Sequence, residues 1–140
     1  MSKRIKEKIA EIEQFLEELS TFIPEDISSY RKNVEKKAAC ERYFEKIVEG
    51  LVDLSILLIK EKSWRVPDEE TRAFDLLSKE KIISEALATR LKEAKGMRNI
   101  LAHEYGIVND TIVFEAITFE LERDARNFLQ AIKKKYGGKK

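Results

Sequence analysis

The single histidine of this chain, His103, follows an arginine, Arg98, by five positions and precedes a tyrosine, Tyr105, by two. A guanidinium presents a planar fork of donors that suits phosphate oxygens. An imidazole can pass a proton near neutral pH, and a phenol hydroxyl can donate, accept or be modified. The three side chains together indicate chemistry on a phosphate group. The alternative is structural, namely a histidine at a helix end and a core aromatic whose hydroxyl reaches the rim.

A helix is expected to position these side chains. Apolar residues recur at helical spacing over residues 82–101, and Gly106 with the polar pair at 109–110 predicts a turn. His103 is therefore expected near the C-terminal end of the helix, where the helix dipole favours the charged form of an imidazole.

The spacing also predicts which side chains face the same way. On a helix of about 3.6 residues per turn, Arg98 and Tyr105 share one stripe as far as the helix persists. Asn99 and His103, four positions apart, share the neighbouring stripe. Four polar groups would then face one direction.

The sequence offers few ligands for a metal. It holds one histidine and one cysteine, Cys40, so neither a disulfide within the chain nor a conventional zinc site is expected. Glycine-rich phosphate loops and Gly-x-Ser-x-Gly elbows are also missing from the sequence. Cleavage of a phosphodiester without a metal needs an internal nucleophile, which the 2′-hydroxyl of RNA supplies and DNA lacks. RNA is therefore the favoured substrate.

The segment RNILAHEY, which carries Arg98, His103 and Tyr105, resembles the signature of HepT-type toxins in the HEPN (higher eukaryotes and prokaryotes nucleotide-binding) superfamily. The core of the motif, Arg98-x4-His103 with Asn99 directly after the arginine, is shared by many HEPN ribonucleases, and the added tyrosine is more particular to the HepT branch. Residues 40–53, CERYFEKIVEGLVD, are similar to the second long helix of that family. Residues 64–77 are similar to its loop and short helix, so the resemblance covers nearly the whole chain.

The resemblance implies a metal-independent RNA endonuclease that acts as a toxin. Arg98 and His103 would be catalytic, with Arg98 neutralising the phosphate and His103 moving protons. Asn99 would support them by orienting His103 or by binding a phosphate oxygen. The resemblance further implies an MntA-type nucleotidyltransferase antitoxin, which would silence the site by transferring AMP from ATP to Tyr105. ATP and Mg²⁺ would belong to that partner, and no cofactor is expected for this chain.

A homodimer is expected for two reasons. One chain has one histidine, so two histidines can act together only if a symmetric pair of subunits brings two copies of the motif to one cleft. Residues 47–59 are also apolar on nearly every side, and such a helix must be covered all round. A second subunit could provide the cover; equally, the helix could be central and covered by its own bundle.

Composition places residues 1–140 in a single all-α domain. Hydrophobic residues make up 43% and charged residues 38%, with five glycines and two prolines. The predicted fold is an up-and-down bundle of four long helices and one short helix, near residues 3–23, 26–60, 69–77, 79–103 and 110–135. The net charge of +1 provides no global attraction to nucleic acid, so contact with RNA must be local. With neither a secretory signal nor a membrane-spanning run in the sequence, the protein is expected in the cytoplasm, away from membranes.

Two other functions remain open from the sequence. The chain could be a non-catalytic HEPN subunit whose Arg98 and His103 bind a nucleotide or the active site of a partner nucleotidyltransferase. It could also be a helical bundle in which the polar cluster merely caps a buried helix end.

Overall fold

The computed structural model describes residues 1–103 and 109–136, and all of the regular elements in this part of the chain are helices. They are α1 (Lys3–Ser20), α2 (Ile27–Lys32), α3 (Val34–Glu61), α4 (Thr71–Lys79), α5 (Glu85–His103), α6 (Asp110–Glu115) and α7 (Leu121–Tyr136). A π-helical turn at Ala116–Glu120 joins α6 to α7, so these elements run on as one long helix. The predicted all-α bundle is thereby confirmed.

The core is organised around α3, which packs against α1, α2, α4, α5 and α7. Its side chains are buried on almost every side over residues 47–59, and Ile47, Leu51 and Ile59 are fully buried. The cover comes from the other helices of the same chain, so α3 is a central helix that its own bundle surrounds. The segment therefore no longer argues for a second subunit, and the expected homodimer rests on the single histidine.

The prediction of one helix over residues 26–60 is wrong, because Asn33 interrupts it. The backbone of Asn33 is extended, with φ −94° and ψ 91°. Its N–H donates to the carbonyl of Ser29 at 3.0 Å and closes α2, while its side-chain oxygen accepts from the N–H of Lys36 at 3.0 Å and starts α3. One asparagine thus caps two helices, a role that this residue type performs well.

The predicted helix over residues 79–103 begins later than expected, at Glu85. Helix α4 extends to Lys79, and the chain then turns through Lys81, whose φ is 64°. The hydroxyl of Ser84 accepts from the N–H of Leu87 at 3.0 Å, which fixes the start of α5. The other predicted boundaries differ from the structure by three residues or fewer.

None of the helices in the described part of the chain has the length and apolar content needed to cross a membrane.

Candidate active site

Three of the four predicted site residues lie on the last turns of α5. Arg98 and Asn99 are partly buried, and His103 is the final residue of the helix and is exposed. Tyr105 falls outside the described residues, so the stripe that it was expected to share with Arg98 remains a prediction. The structure thus brings Arg98 and Asn99 into direct contact and places His103 just over one turn further along the same helix.

Arg98 is held between α3 and α5 by two of its three nitrogens. Its Nη2 donates to Oε2 of Glu49, on α3, at 2.7 Å, and its Nη1 donates to Oδ1 of Asn99 at 3.2 Å. The remaining nitrogen, Nε, is buried and finds no acceptor. The side chain of Arg98 is 21% exposed, so the guanidinium is anchored yet reaches solvent.

A buried lysine fixes Asn99 from the other side. Nζ of Lys95 donates to Oδ1 of Asn99 at 2.9 Å, and the same ammonium pairs with Glu70 at 3.2 Å. Lys95 is only 7% exposed, which is uncommon for a lysine and makes its partners important. Since Oδ1 of Asn99 accepts from two cations, the amide N–H groups are what Asn99 can offer to a ligand. That donor role suits a phosphate oxygen.

The surroundings of Arg98 carry both signs of charge. Asp53 lies one turn beyond Glu49 on α3, and partial burial raises the pKa of its carboxyl. Lys8 opposes that rise from 3.8 Å, whereas the carboxylates of Glu49 and Glu70 add to it. Acidic side chains therefore lie beside the basic groups of the site. A phosphate must compete with these carboxylates for the basic donors.

Sequence reasoning missed both Lys95 and Glu49. Lys95 could have been found, because it precedes Asn99 by four positions and so shares its face of the helix. Glu49 could not be assigned to the site in this way. It is 49 positions from Arg98 and meets it only through the packing of α3 on α5.

An apolar groove adjoins the motif between α5 and α6. Its volume is about 430 Å³, and it is lined by Glu93, Gly96, Met97, Ile100, Leu101, Asn109, Ile112 and Val113. Ile100 is 42% exposed and Ile112 is 54% exposed. Ile100 is thus exposed on the same turns of α5 that carry the polar motif, and Ile112 is exposed on the neighbouring helix α6.

A larger cavity lies elsewhere, and Arg98, Asn99 and His103 are not among the described residues that line it. It has a volume of about 840 Å³ and is bounded by residues from the start of α5, such as Glu85 and Arg90, and by Lys134 of α7. Because it lies at the N-terminal end of α5, it is about a helix length from His103.

Among residues 1–103 and 109–136, no three histidine, cysteine or carboxylate side chains lie together in a way that could hold a metal ion. The thiol of Cys40 is buried, and burial raises its pKa to about 11, which favours the protonated form over the nucleophilic thiolate.

The profile of the family described as "Ribonuclease HepT-like" matches residues 5–132 of the chain. One relative, the tRNA nuclease HepT of Aphanizomenon flos-aquae, is 26% identical over 119 residues, which cover 85% of this chain and 81% of the relative. Another, the mRNA nuclease HepT of Shewanella oneidensis, is 25% identical over 133 residues, which cover 95% of this chain and 98% of the relative.

The fold is similar to that of a solved Shewanella oneidensis protein, described as a tri-AMPylated HEPN toxin in complex with an MNT antitoxin. The TM-score is 0.88 at 25% identity, and the match covers 96% of this chain and 99% of the other. The HEPN-like fold implied by the sequence resemblance is thereby confirmed.

Proposed function

Because the chain belongs to the HepT-like ribonuclease family, we propose that it is the nuclease toxin of a toxin–antitoxin pair and cleaves RNA at the end of α5. The observation that carries the proposal is the placement of an anchored, partly exposed guanidinium, Arg98, on the same helix end as the exposed imidazole of His103. We expect a phosphate bound by Arg98 to bring the neighbouring ribose oxygens towards His103, which can take or give their protons.

The proposed reaction uses the nucleophile that RNA itself carries. A base takes the proton of the 2′-hydroxyl, and the 2′-oxygen attacks the adjacent phosphorus. The bond from phosphorus to the 5′-oxygen breaks, and an acid gives that oxygen a proton. The products are a 2′,3′-cyclic phosphate and a 5′-hydroxyl. His103 serves as the proton carrier, while Arg98 and the amide of Asn99 stabilise the charge that builds on the phosphate oxygens.

We further propose that the active form is a symmetric homodimer. Base and acid are needed in one reaction, and the chain has a single histidine. A two-fold axis near the end of α5 would bring His103 of both subunits to one cleft. The exposed side chains of Ile100 and Ile112 support this arrangement, because apolar surface beside a polar site is typical of an interface.

Regulation is proposed to act on Tyr105. The Shewanella oneidensis toxin is described as tri-AMPylated and in complex with an MNT antitoxin. We propose that this chain has a nucleotidyltransferase partner in the cytoplasm, and that the partner uses ATP and Mg²⁺ to adenylate Tyr105. Adenylate would place negative charge beside Arg98 and exclude the RNA phosphate.

Tyr105→Phe should keep RNA cleavage but escape silencing by the partner. Mass spectrometry that finds adenylate only on other tyrosines would refute the assignment to Tyr105.

The test of the proposed activity compares purified wild-type protein with His103→Ala and Arg98→Ala on RNA in the presence of a chelator. Both variants should lose cleavage by at least about a hundredfold, the contribution of one general acid–base group or one charge-stabilising group. Arg126→Ala is the matched control, because Arg126 also pairs with a glutamate, at 3.1 Å, but on the exposed face of α7. Equal cleavage by wild type and His103→Ala would reject the proposal.

One observation favours a second candidate, the non-catalytic binding subunit. Arg98 is already paired with Glu49, so its positive charge is already compensated within the chain. If RNA binds without being cut by the wild-type protein, this candidate replaces the first.

A further inference from the structure

The ion pair of Glu49 with Arg98 is placed at the position where a phosphate is expected to bind. Nη1 of Arg98 is turned inward to Asn99, whereas Nη2 donates to Glu49 at 2.7 Å. The side chain of Glu49 is 58% exposed and that of Arg98 is 21% exposed, so the carboxylate lies on the solvent side of the pair. A ligand that binds Nη2 from solvent therefore has to compete with Glu49 for this donor.

The carboxylate of Glu49 accepts from only one of the two donors on the edge of Arg98 that it faces. Nε and Nη2 lie on the same edge of a guanidinium, and two oxygens of one anion can accept from both. Glu49 accepts from Nη2, while Nε is buried and has no acceptor. Glu49 thus satisfies one of the two donors on this edge and leaves the other without an acceptor, so the pair is not the full two-bond arrangement that a guanidinium can form with an anion.

Glu49 is also lightly held. Among the described residues it forms an ion pair with Arg98 alone, and its carboxylate lies near that of Asp53, whose pKa it helps to raise. An exposed pair of this kind contributes little to stability, so moving the glutamate side chain away costs little. The contact can open without rearrangement of the helices.

We propose that Glu49 occupies the phosphate position of Arg98 in the free protein and so sets the affinity of the site for RNA. RNA must displace this carboxylate before a phosphate can bind. The identity of the ligand rests on the proposed function, but the competition itself does not depend on cleavage. Glu49 is thus a residue that limits binding, in contrast to the groups that promote it.

Glu49→Gln removes the charge and keeps the size of the side chain. The dissociation constant for an RNA oligonucleotide, measured by fluorescence anisotropy in the His103→Ala background, should fall about two- to fivefold at low salt, as expected when one exposed ion pair no longer has to be broken. The gain should shrink as salt is raised, because salt screens exposed pairs. Glu49→Ala should behave in the same way. In proteins that retain His103, KM should fall in parallel.

Glu122→Gln is the matched control, since Glu122 is 48% exposed and pairs with Arg126 on α7. It makes the same change in net charge and should leave RNA affinity unaltered. An unchanged or weaker affinity for Glu49→Gln would overturn the inference, as would a large loss of kcat at unchanged affinity, which would assign Glu49 to the chemistry. Wild-type protein that never cuts RNA would reject the proposed function, while the binding comparison would still decide the role of Glu49.

Discussion

At the scale of single residues, the side-chain oxygen of Asn99 is held by two cations. Lys95 donates to it at 2.9 Å and Arg98 at 3.2 Å. This arrangement fixes the orientation of the amide, because the oxygen faces the cations and the N–H groups face away from them. Lys95 is therefore expected to influence RNA cleavage without touching RNA, through the orientation of Asn99.

Lys95→Met is expected to lower kcat/KM for RNA cleavage by about tenfold, since one charge-assisted hydrogen bond to Asn99 is lost. In the Asn99→Ala background the same substitution should cost almost nothing further, because there is no amide left to orient. Kinetics on the two single variants and the double variant make the comparison. Lys92→Met is the control, because Lys92 also lies on α5 but pairs with Asp75. A full additional loss in the double variant would show that Lys95 acts by another route.

At the scale of elements, two glycines on helices are expected to respond in opposite ways to alanine. A Cβ at Gly50, on α3, would lie 2.9 Å from Cγ1 of Ile12 on α1, whereas a Cβ at Gly96, on α5, would have nothing within 4 Å. Gly50 thus permits the close approach of α1 to α3. Gly96 has no such role in the described part of the chain.

Gly50→Ala should lower the free energy of unfolding by about 1–3 kcal/mol, because Ile12 has to shift within a packed core. Gly96→Ala should raise it by about 0.5–1 kcal/mol, because alanine reduces the conformational entropy of the unfolded chain. Urea denaturation of both variants beside wild type provides the measurement. Two variants of equal stability would show that α1 and α3 do not approach as closely as described.

The helices were predictable from apolar periodicity, and the motif was predictable from residue type and spacing. The family resemblance drawn from Arg98, His103 and Tyr105 is confirmed by the family match over residues 5–132. The interruption at Asn33 was missed because the apolar pattern continues on both sides of it, while a single residue provides both caps, one through its backbone N–H and one through its side chain. Glu49 was missed because its contact depends on how α3 packs on α5, which local sequence does not encode.

At the scale of the whole molecule, the net charge of +1 means that RNA is not drawn to the surface at large. Binding has to depend on local groups and on shape. The exposed apolar side chains Ile100 and Ile112 flank the groove beside the motif, and a second subunit would remove them from water. The proposed dimer would thus bury Ile100 and Ile112 and would also bring two copies of His103 into one cleft.

If two copies of His103 act in one cleft, mixed dimers of wild type and His103→Ala should be inactive. After co-refolding of equal amounts, RNA cleavage should fall to about a quarter of the wild-type value, because only dimers with two wild-type subunits retain both histidines. Native mass spectrometry would verify that mixed dimers form. Activity that falls only to half while mixed dimers are present would show that each subunit works alone.

The proposed cleavage of RNA through the 2′-hydroxyl, with Arg98 and His103 as the acting groups, can be tested by the ends that it leaves. The most direct measurement is mass spectrometry of the ends produced by wild-type protein from RNA in the presence of a chelator, beside the same RNA carrying 2′-methoxy groups. Wild-type protein should leave 2′,3′-cyclic phosphate and 5′-hydroxyl ends on the first RNA and should leave the second RNA intact. Cleavage of the 2′-methoxy RNA, or products with 5′-phosphate and 3′-hydroxyl ends, would contradict the proposed mechanism.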